Sequence, residues 1–269
     1  SNNLIYDVNN IEVSGRISTD LDKKKIIQSA FKKAFITFTN KTLLKNDAIN
    51  LRKTKINTIE NLVFAYKIIK VEKNEKKESI LTVNVKFDPK KISNFLAKNR
   101  ISYADVSNIS LTFLPVFIKN KKVLMFEENF FYKNWLETEN KIKNIKDILI
   151  TYNLALENIE DLRYINSENE NLELIDIKKL TSLKNVKNYA FLIIYFTEGQ
   201  FRAYVKTSIM NKQIDKSFNL QVYPEDETKT YNEAIKSIKE EINQIWKGQN
   251  LIDVNTPSFT ACFIIEEID

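Results

Sequence analysis

Glu157, Glu160 and Asp161 sit within about one helical turn of one another and are the nearest thing to a catalytic grouping in this chain. Paired carboxylates cleave glycosidic and related bonds when both converge on a cleft and one is held protonated. On a helix surface the same residues form an ordinary solvated face, and no histidine is available to partner them. The lack of His removes Ser-His-Asp and Cys-His catalysis, imidazole acid–base work and HExxH zinc chemistry. Cys262 is the only cysteine, so the chain has neither an intrachain disulfide nor a Cys-based metal site. The three glycines, Gly15, Gly199 and Gly248, are too scattered for a Walker loop or a dinucleotide fingerprint. What chemistry remains is carboxylate-based with a Lys or Tyr partner. A carboxylate-dependent hydrolase is therefore one alternative to a non-enzymatic interaction module, a weak polyanion or nucleic-acid binder being the other, and no catalytic residue, cofactor or metal is expected.

Two charged stretches have a binding interpretation as well as a bland one. The acidic loop NSENENLELID offers Glu168, Glu170, Glu173 and Asp176 to a cation, but it lacks the glycine and ligand spacing of a calcium loop. Lys23, Lys24, Lys25, Lys32 and Lys33 flank an apolar stripe and would make a phosphate-binding ridge. No Gly-rich loop or base-stacking aromatic accompanies them, so a solvated helix face is the expectation. The net charge is +6, yet Lys is interspersed with Asp and Glu throughout. That mixture predicts at most weak polyanion binding at low salt and no specific complex with duplex nucleic acid. With 43% hydrophobic and 28% charged residues the composition is that of a globular protein. No apolar run approaches the roughly 18 residues of a membrane span.

The elements that must position these residues form an α+β pattern in two parts. An edge strand over Leu4 to Val13 precedes a helix from Leu21 to Thr39, capped by Asp20 or Asp22. Its stripe is Ile26, Ile27, Ala30, Phe31, Ala34, Phe35 and Phe38. Residues Lys41 to Glu60 look polar and irregular, with at most a short helical turn. Leu62 to Val71 and Ser79 to Phe87 then pair as strands, and Asp88-Pro89 opens a helix bearing Ile92, Phe95 and Leu96. This β-α-β-β-α unit spans residues 1–105 and ends in a polar joint between Asn99 and Asn108. Residues 106–269 form a larger second unit, a mixed and antiparallel sheet packed by helices. Its strands are expected at Ile109 to Ile118, Val123 to Phe126, Ile145 to Thr151, Ala190 to Tyr195, Phe201 to Ile209, Ile214 to Val222 and Phe259 to Ile265. Helices are expected from Asn129, over Leu154 to Tyr164, over Ile175 to Leu183, and from a Thr230–Glu233 capping box to Gly248. Cys262 falls in the last strand as a small core residue.

The stretch LTVNVKFDPKKISNFLAKNRI resembles the strand–FDP–helix block of the bacterial family known as domain of unknown function 2066. IIQSAFKKAFITFTNKT is similar to that family's first helix, with Asn40 where the family has a turn glycine. Trp135, ILITYNLALENIEDL and NVKNYAFLII resemble its later blocks in the same order. The family has no established activity, so the resemblance implies no catalytic residues. It does imply export, and hence a periplasmic location. The chain opens at Ser1 without Met, which fits a processed or engineered start, so the lack of a signal peptide excludes nothing.

Together these readings predict a non-enzymatic module of the bacterial envelope whose partner is another envelope protein. The candidate partner surface centres on the aromatic helix, against the alternative that a strand or the Lys41 to Glu60 segment covers Phe130. Phe131, Tyr132, Trp135, Leu136 and Ile142 share its inner side, and Phe130 and Tyr132 sit at its rim, where exposed rings would anchor a partner.

Overall fold

The computed structural model describes residues 4–104, 108–137 and 149–252. The chain is α+β and divides into two units, Ser1–Val106 with Lys247–Asp269, and Ser107–Trp246.

In the first unit, β1 (Asp7–Gly15) leads to α1 (Asp20–Thr42), then α2 (Lys45–Leu51), α3 (Ile56–Leu62), β2 (Val63–Lys73), β3 (Ser79–Phe87), α4 (Pro89–Lys98) and a two-residue strand β4 (Tyr103–Ala104). The three long strands form an antiparallel sheet in the order β1-β3-β2. On β3, Leu81, Val83, Val85 and Phe87 are buried, and Phe87 packs against Phe35 and Phe38 of the α1 stripe. The period-2 strand and the period-3.6 helix therefore close one core between them.

The cap of α1 differs from the expectation. Thr19 is the N-cap, its hydroxyl accepting from the Asp22 N–H at 3.2 Å, while the Asp22 carboxylate accepts from the Ser18 and Thr19 N–H groups. These bonds hold the Asp22 carboxyl below its ordinary range, the Ser18 bond most of all. Residues 41–60 are more regular than one short helical turn, since two short helices begin there. Ala48 and Leu51, and likewise Ile59 and Leu62, lie three apart and are buried, and each pair folds a short helix with no side-chain cap. Packing, together with the Lys32 ammonium donating to the Arg52 and Thr54 carbonyls, supplies what local propensity does not.

The second unit contains β5 (Ile109–Lys119), β6 (Lys122–Leu124), α5 (Phe130–Asn134), β7 (Ile150–Leu154), α6 (Ile159–Ser167), β8 (Tyr189–Thr197), β9 (Gln200–Ile209), β10 (Lys212–Asn219) and α7 (Glu227–Gln249). Its mixed sheet has the order β10-β9-β8-β5-β6, with β7 alongside the first half of β5. β5 and β8 run parallel at its centre, which is why both are apolar on both faces. One face carries Phe117, Phe196 and Phe201 around Tyr231 of α7. The other carries Leu114, Val116, Phe191 and Ile193 beneath Ile165, Leu172, Ile175 and Leu183.

Several boundaries move for identifiable reasons. β6 stops at Leu124 because Phe126 adopts a positive φ of 51° and opens a 3-10 turn. α6 starts late, at Ile159, where Asn158 accepts from the Glu160 and Asp161 N–H groups. The helix expected over Ile175 to Leu183 is only a 3-10 turn at Ile177–Lys179, since Asp161 takes the Thr181 and Ser182 amides into another geometry. Thr230 does not cap α7. It is buried inside the first turn, where its hydroxyl accepts from the Tyr223 N–H, and Glu233 pairs instead with Lys236. Gly248 lies within α7 rather than ending it.

The final described residues also depart from the expected division, which assigns everything after 105 to the second unit. Lys247 is buried and donates to the Asn40 and Leu43 carbonyls, while β11 (Leu251–Ile252) pairs with β4. Both contacts lie in the first unit. Ile142, the start of the 145–151 strand and the 259–265 strand with Cys262 fall outside the described residues.

Candidate functional site

β2 is one of the two outer strands of the three-stranded sheet, β1 being the other, and its outer side pairs with no strand among the described residues. Its eleven residues, VFAYKIIKVEK, are exposed except Val63 and Ile68, which are half-buried. The exposure follows from how α1 is seated. That helix packs chiefly over β1 and β3, so β2 receives little cover beyond the edge-on contact of Tyr66 with Phe31 at 5.2 Å. Four large apolar side chains are left in solvent along one strand: Phe64 (67% exposed), Val71 (62%), Tyr66 (48%) and Ile69 (43%).

Two irregularities sharpen the picture. The register with β3 shifts between Val63 and Ala65 and again between Ile68 and Lys70. Phe64 and Ile69 are therefore the extra residues of two β-bulges. A bulge re-aims its extra side chain and leaves it outside the ladder. Here both re-aimed residues are large and apolar, and Lys86 lies over the Phe64 ring at 5.9 Å.

The edge is also charged. Lys67, Lys70 and Lys73 are exposed on it against a single carboxylate, Glu72, which pairs with Lys70 at 2.8 Å and raises its pKa. Lysines and bulges are the devices by which natural sheets prevent edge-to-edge pairing with their own copies. A second β2 would bring a like-charged strand alongside. An acidic strand would not meet that repulsion.

The residues singled out from sequence are placed elsewhere. Phe130 is half-buried, its ring 5.2 Å from Tyr231 and 5.9 Å from Phe131. Tyr132 is half-buried too, its hydroxyl donating to the Ala155 carbonyl at 2.8 Å and its ring edge-on to Phe126. Both rings pack within the second unit, and among the described residues the exposed Phe and Tyr rings are those of Phe64 and Tyr66 on β2. Lys32 and Lys33 spend their ammonium groups on the Arg52, Thr54 and Glu12 carbonyls, which dismantles the phosphate ridge. The loop carboxylates do not converge: Glu173 pairs with Arg202 at 2.7 Å, and Asp176 accepts from the Lys178 N–H. Among the described residues no group of three or more His, Cys, Asp or Glu is placed to hold a metal ion. Asp161 is fully buried on the Thr181 and Ser182 amides, and Glu160 accepts from the Thr181 hydroxyl. Asp161 and Glu160 therefore hold the turn at Thr181 and Ser182, while Glu157 is exposed.

β2 itself was visible in the sequence only as a strand. Its signal was apolar residues on both faces, interrupted by Lys at every third position. A central strand has the first property and not the second.

No protein-family model, curated protein or solved structure matches the chain. The resemblance to domain of unknown function 2066 therefore rests on its quoted motifs alone. Among the described residues no helix is long and apolar enough to cross a membrane.

Proposed function

We propose that this chain is a non-enzymatic protein-interaction module that adds an extended, acidic segment of another protein to the β2 edge. The observation that carries this reading is the pair of exposed bulge residues, Phe64 and Ile69, on a lysine-bearing strand with no outer partner among the described residues. Strand addition draws affinity from main-chain hydrogen bonds and specificity from alternate side chains. Here the edge supplies the backbone groups, and Phe64, Ile69 and Val71 supply apolar contacts. Lys67, Lys70 and Lys73 select for Asp and Glu on the incoming strand. The motif resemblance would place the partner in the bacterial envelope.

Panning a random-peptide display library against the folded chain tests this reading. Selected peptides should be acidic with apolar residues at alternate positions, and should bind at least about tenfold more weakly to a Phe64→Ser, Ile69→Ser double variant. Peptides that keep full affinity for that variant would place the site elsewhere.

A further inference from the structure

A second, independent site lies in the second unit, in a groove of about 520 Å³ between the 175–187 segment and the β8–β9–β10 meander. Lys178, Lys184 and Lys187 stand exposed on its rim, and Lys206 lines its wall half-buried. Lys206 is partly neutralised by Asp215 at 3.7 Å. The other three have no ion pair among the described residues. The one carboxylate in the lining, Asp176, already has an oxygen engaged by the Lys178 N–H. The lining thus sets four ammonium groups against the Asp176 carboxylate, with Asp215 beside Lys206, whereas two of the α1 lysines spend their ammonium groups on backbone carbonyls.

We propose that this groove binds a compact polyvalent oxyanion, a small molecule bearing several phosphate or carboxylate charges. A space of this volume is about one Debye length across at physiological salt, ~8 Å, so an anion held in it feels the lining ammonium groups without full screening. An anion placed among them gains charge-assisted hydrogen bonds from the ammonium groups. The volume suits a small ligand and is too short for the extended track that duplex nucleic acid requires. The floor is formed by Tyr189 and Ser208, both buried, with Leu183 and Val186 beside them. Ser208 is fixed by donating to the Lys187 carbonyl at 3.3 Å. Asn211 at the β9–β10 turn and Gln213 at the start of β10, both exposed, add amides for the neutral oxygens of such a ligand.

Titration of the full chain with tripolyphosphate, followed by calorimetry and by amide chemical shifts, tests the proposal. Saturable binding is expected, with the shifts centred on Lys187, Tyr189 and Ser208. A Lys178→Gln, Lys184→Gln, Lys187→Gln variant should bind about tenfold more weakly, since each exposed ammonium contributes a modest share. These side chains are exposed, so its circular dichroism and melting temperature should match the wild type. A Lys23→Gln, Lys24→Gln, Lys25→Gln variant has the same net charge and should bind normally. Vesicles carrying an anionic phospholipid separate two sources of the same chemistry. Lysine-dependent binding of vesicles alone marks a headgroup ligand, and binding of tripolyphosphate in solution a free one. Absence of saturable binding to either probe, equal losses in the two triple variants, or tighter lysine-dependent binding of duplex DNA would overturn the proposal.

Discussion

The buried side chain of Asn129 donates to the carbonyl of Pro115 at 3.0 Å, and this bond closes a gap in the central strand of the second unit. Proline inside a sheet removes a ladder hydrogen bond and is normally confined to edges. Pro115 is tolerated because β7 pairs β5 only as far as Phe113 and β6 only from Phe117. Into that interval Asn129 places its amide. Its other end accepts from the Phe131 and Tyr132 N–H groups and so starts α5. Asn129→Ala should cost about 2–4 kcal/mol, because a buried carbonyl and two helix-end amides lose their partner together. Urea denaturation measures it, and a loss within about 0.5 kcal/mol would show that the carbonyl finds another donor.

Asp161 should prove a structural carboxylate. It is fully buried and accepts from the Thr181 and Ser182 N–H groups at 2.6 and 3.1 Å. Asp161→Asn presents a donor where an acceptor is required, and a loss of about 2–3 kcal/mol is expected. Equilibrium unfolding reads this directly, and a variant as stable as the wild type would contradict the assignment.

Phe130 should behave as part of the interior rim. Its ring is half-buried against Tyr231, so Phe130→Ala should cost roughly 1.5–3 kcal/mol, below the 3–5 of a fully buried Phe. Phe64→Ser on the open edge should stay within about 0.5 kcal/mol. Comparing the two in one thermal series checks both; equal effects would mean that the interior and surface roles have been assigned wrongly.

Tyr195 gives a pH dependence. Its phenol pKa is pushed up to about 12, first by burial and then by the charge of Glu173, with Arg202 stacked 4.1 Å over the ring opposing the shift. A raised folded-state pKa contributes stability that is present below the ordinary tyrosine value of about 10. It is lost as pH rises through about 12. Tyr195→Phe should therefore lose less stability than the wild type between about pH 9 and pH 11. Paired urea melts at the two pH values would show it, and parallel losses would refute the shift.

Much of the fold was legible because its signals are local. Alternation on β3, the Asp88-Pro89 start of α4, the 3.6-residue stripe of α1 and the two-faced apolarity of β8 each act within one element. The aromatic helix was also placed correctly at Asn129, and Phe131 and Trp135 are buried as its spacing required. The failures share a different cause. α2 and α3 exist because distant side chains receive them, and Thr230 fails as a cap because the chain from Tyr223 folds back to bond its hydroxyl.

The sequence by itself determined the α+β class, most strands and helices, and the absence of histidine, nucleotide-loop and disulfide chemistry, since composition and short-range periodicity fix those. Only the tertiary structure decided which apolar residues remain outside. Phe64 stands between Val63 and Ala65 and Phe130 between Asn129 and Phe131, so adjacent residues alone would bury Phe64 sooner than Phe130. Phe130 is covered because Tyr231, 101 positions later, returns to it, whereas α1 lies over β1 and β3 and leaves Phe64 and Ile69 on bulges in water. Burial depends on which surfaces meet, and that is set by contacts between segments far apart in the chain.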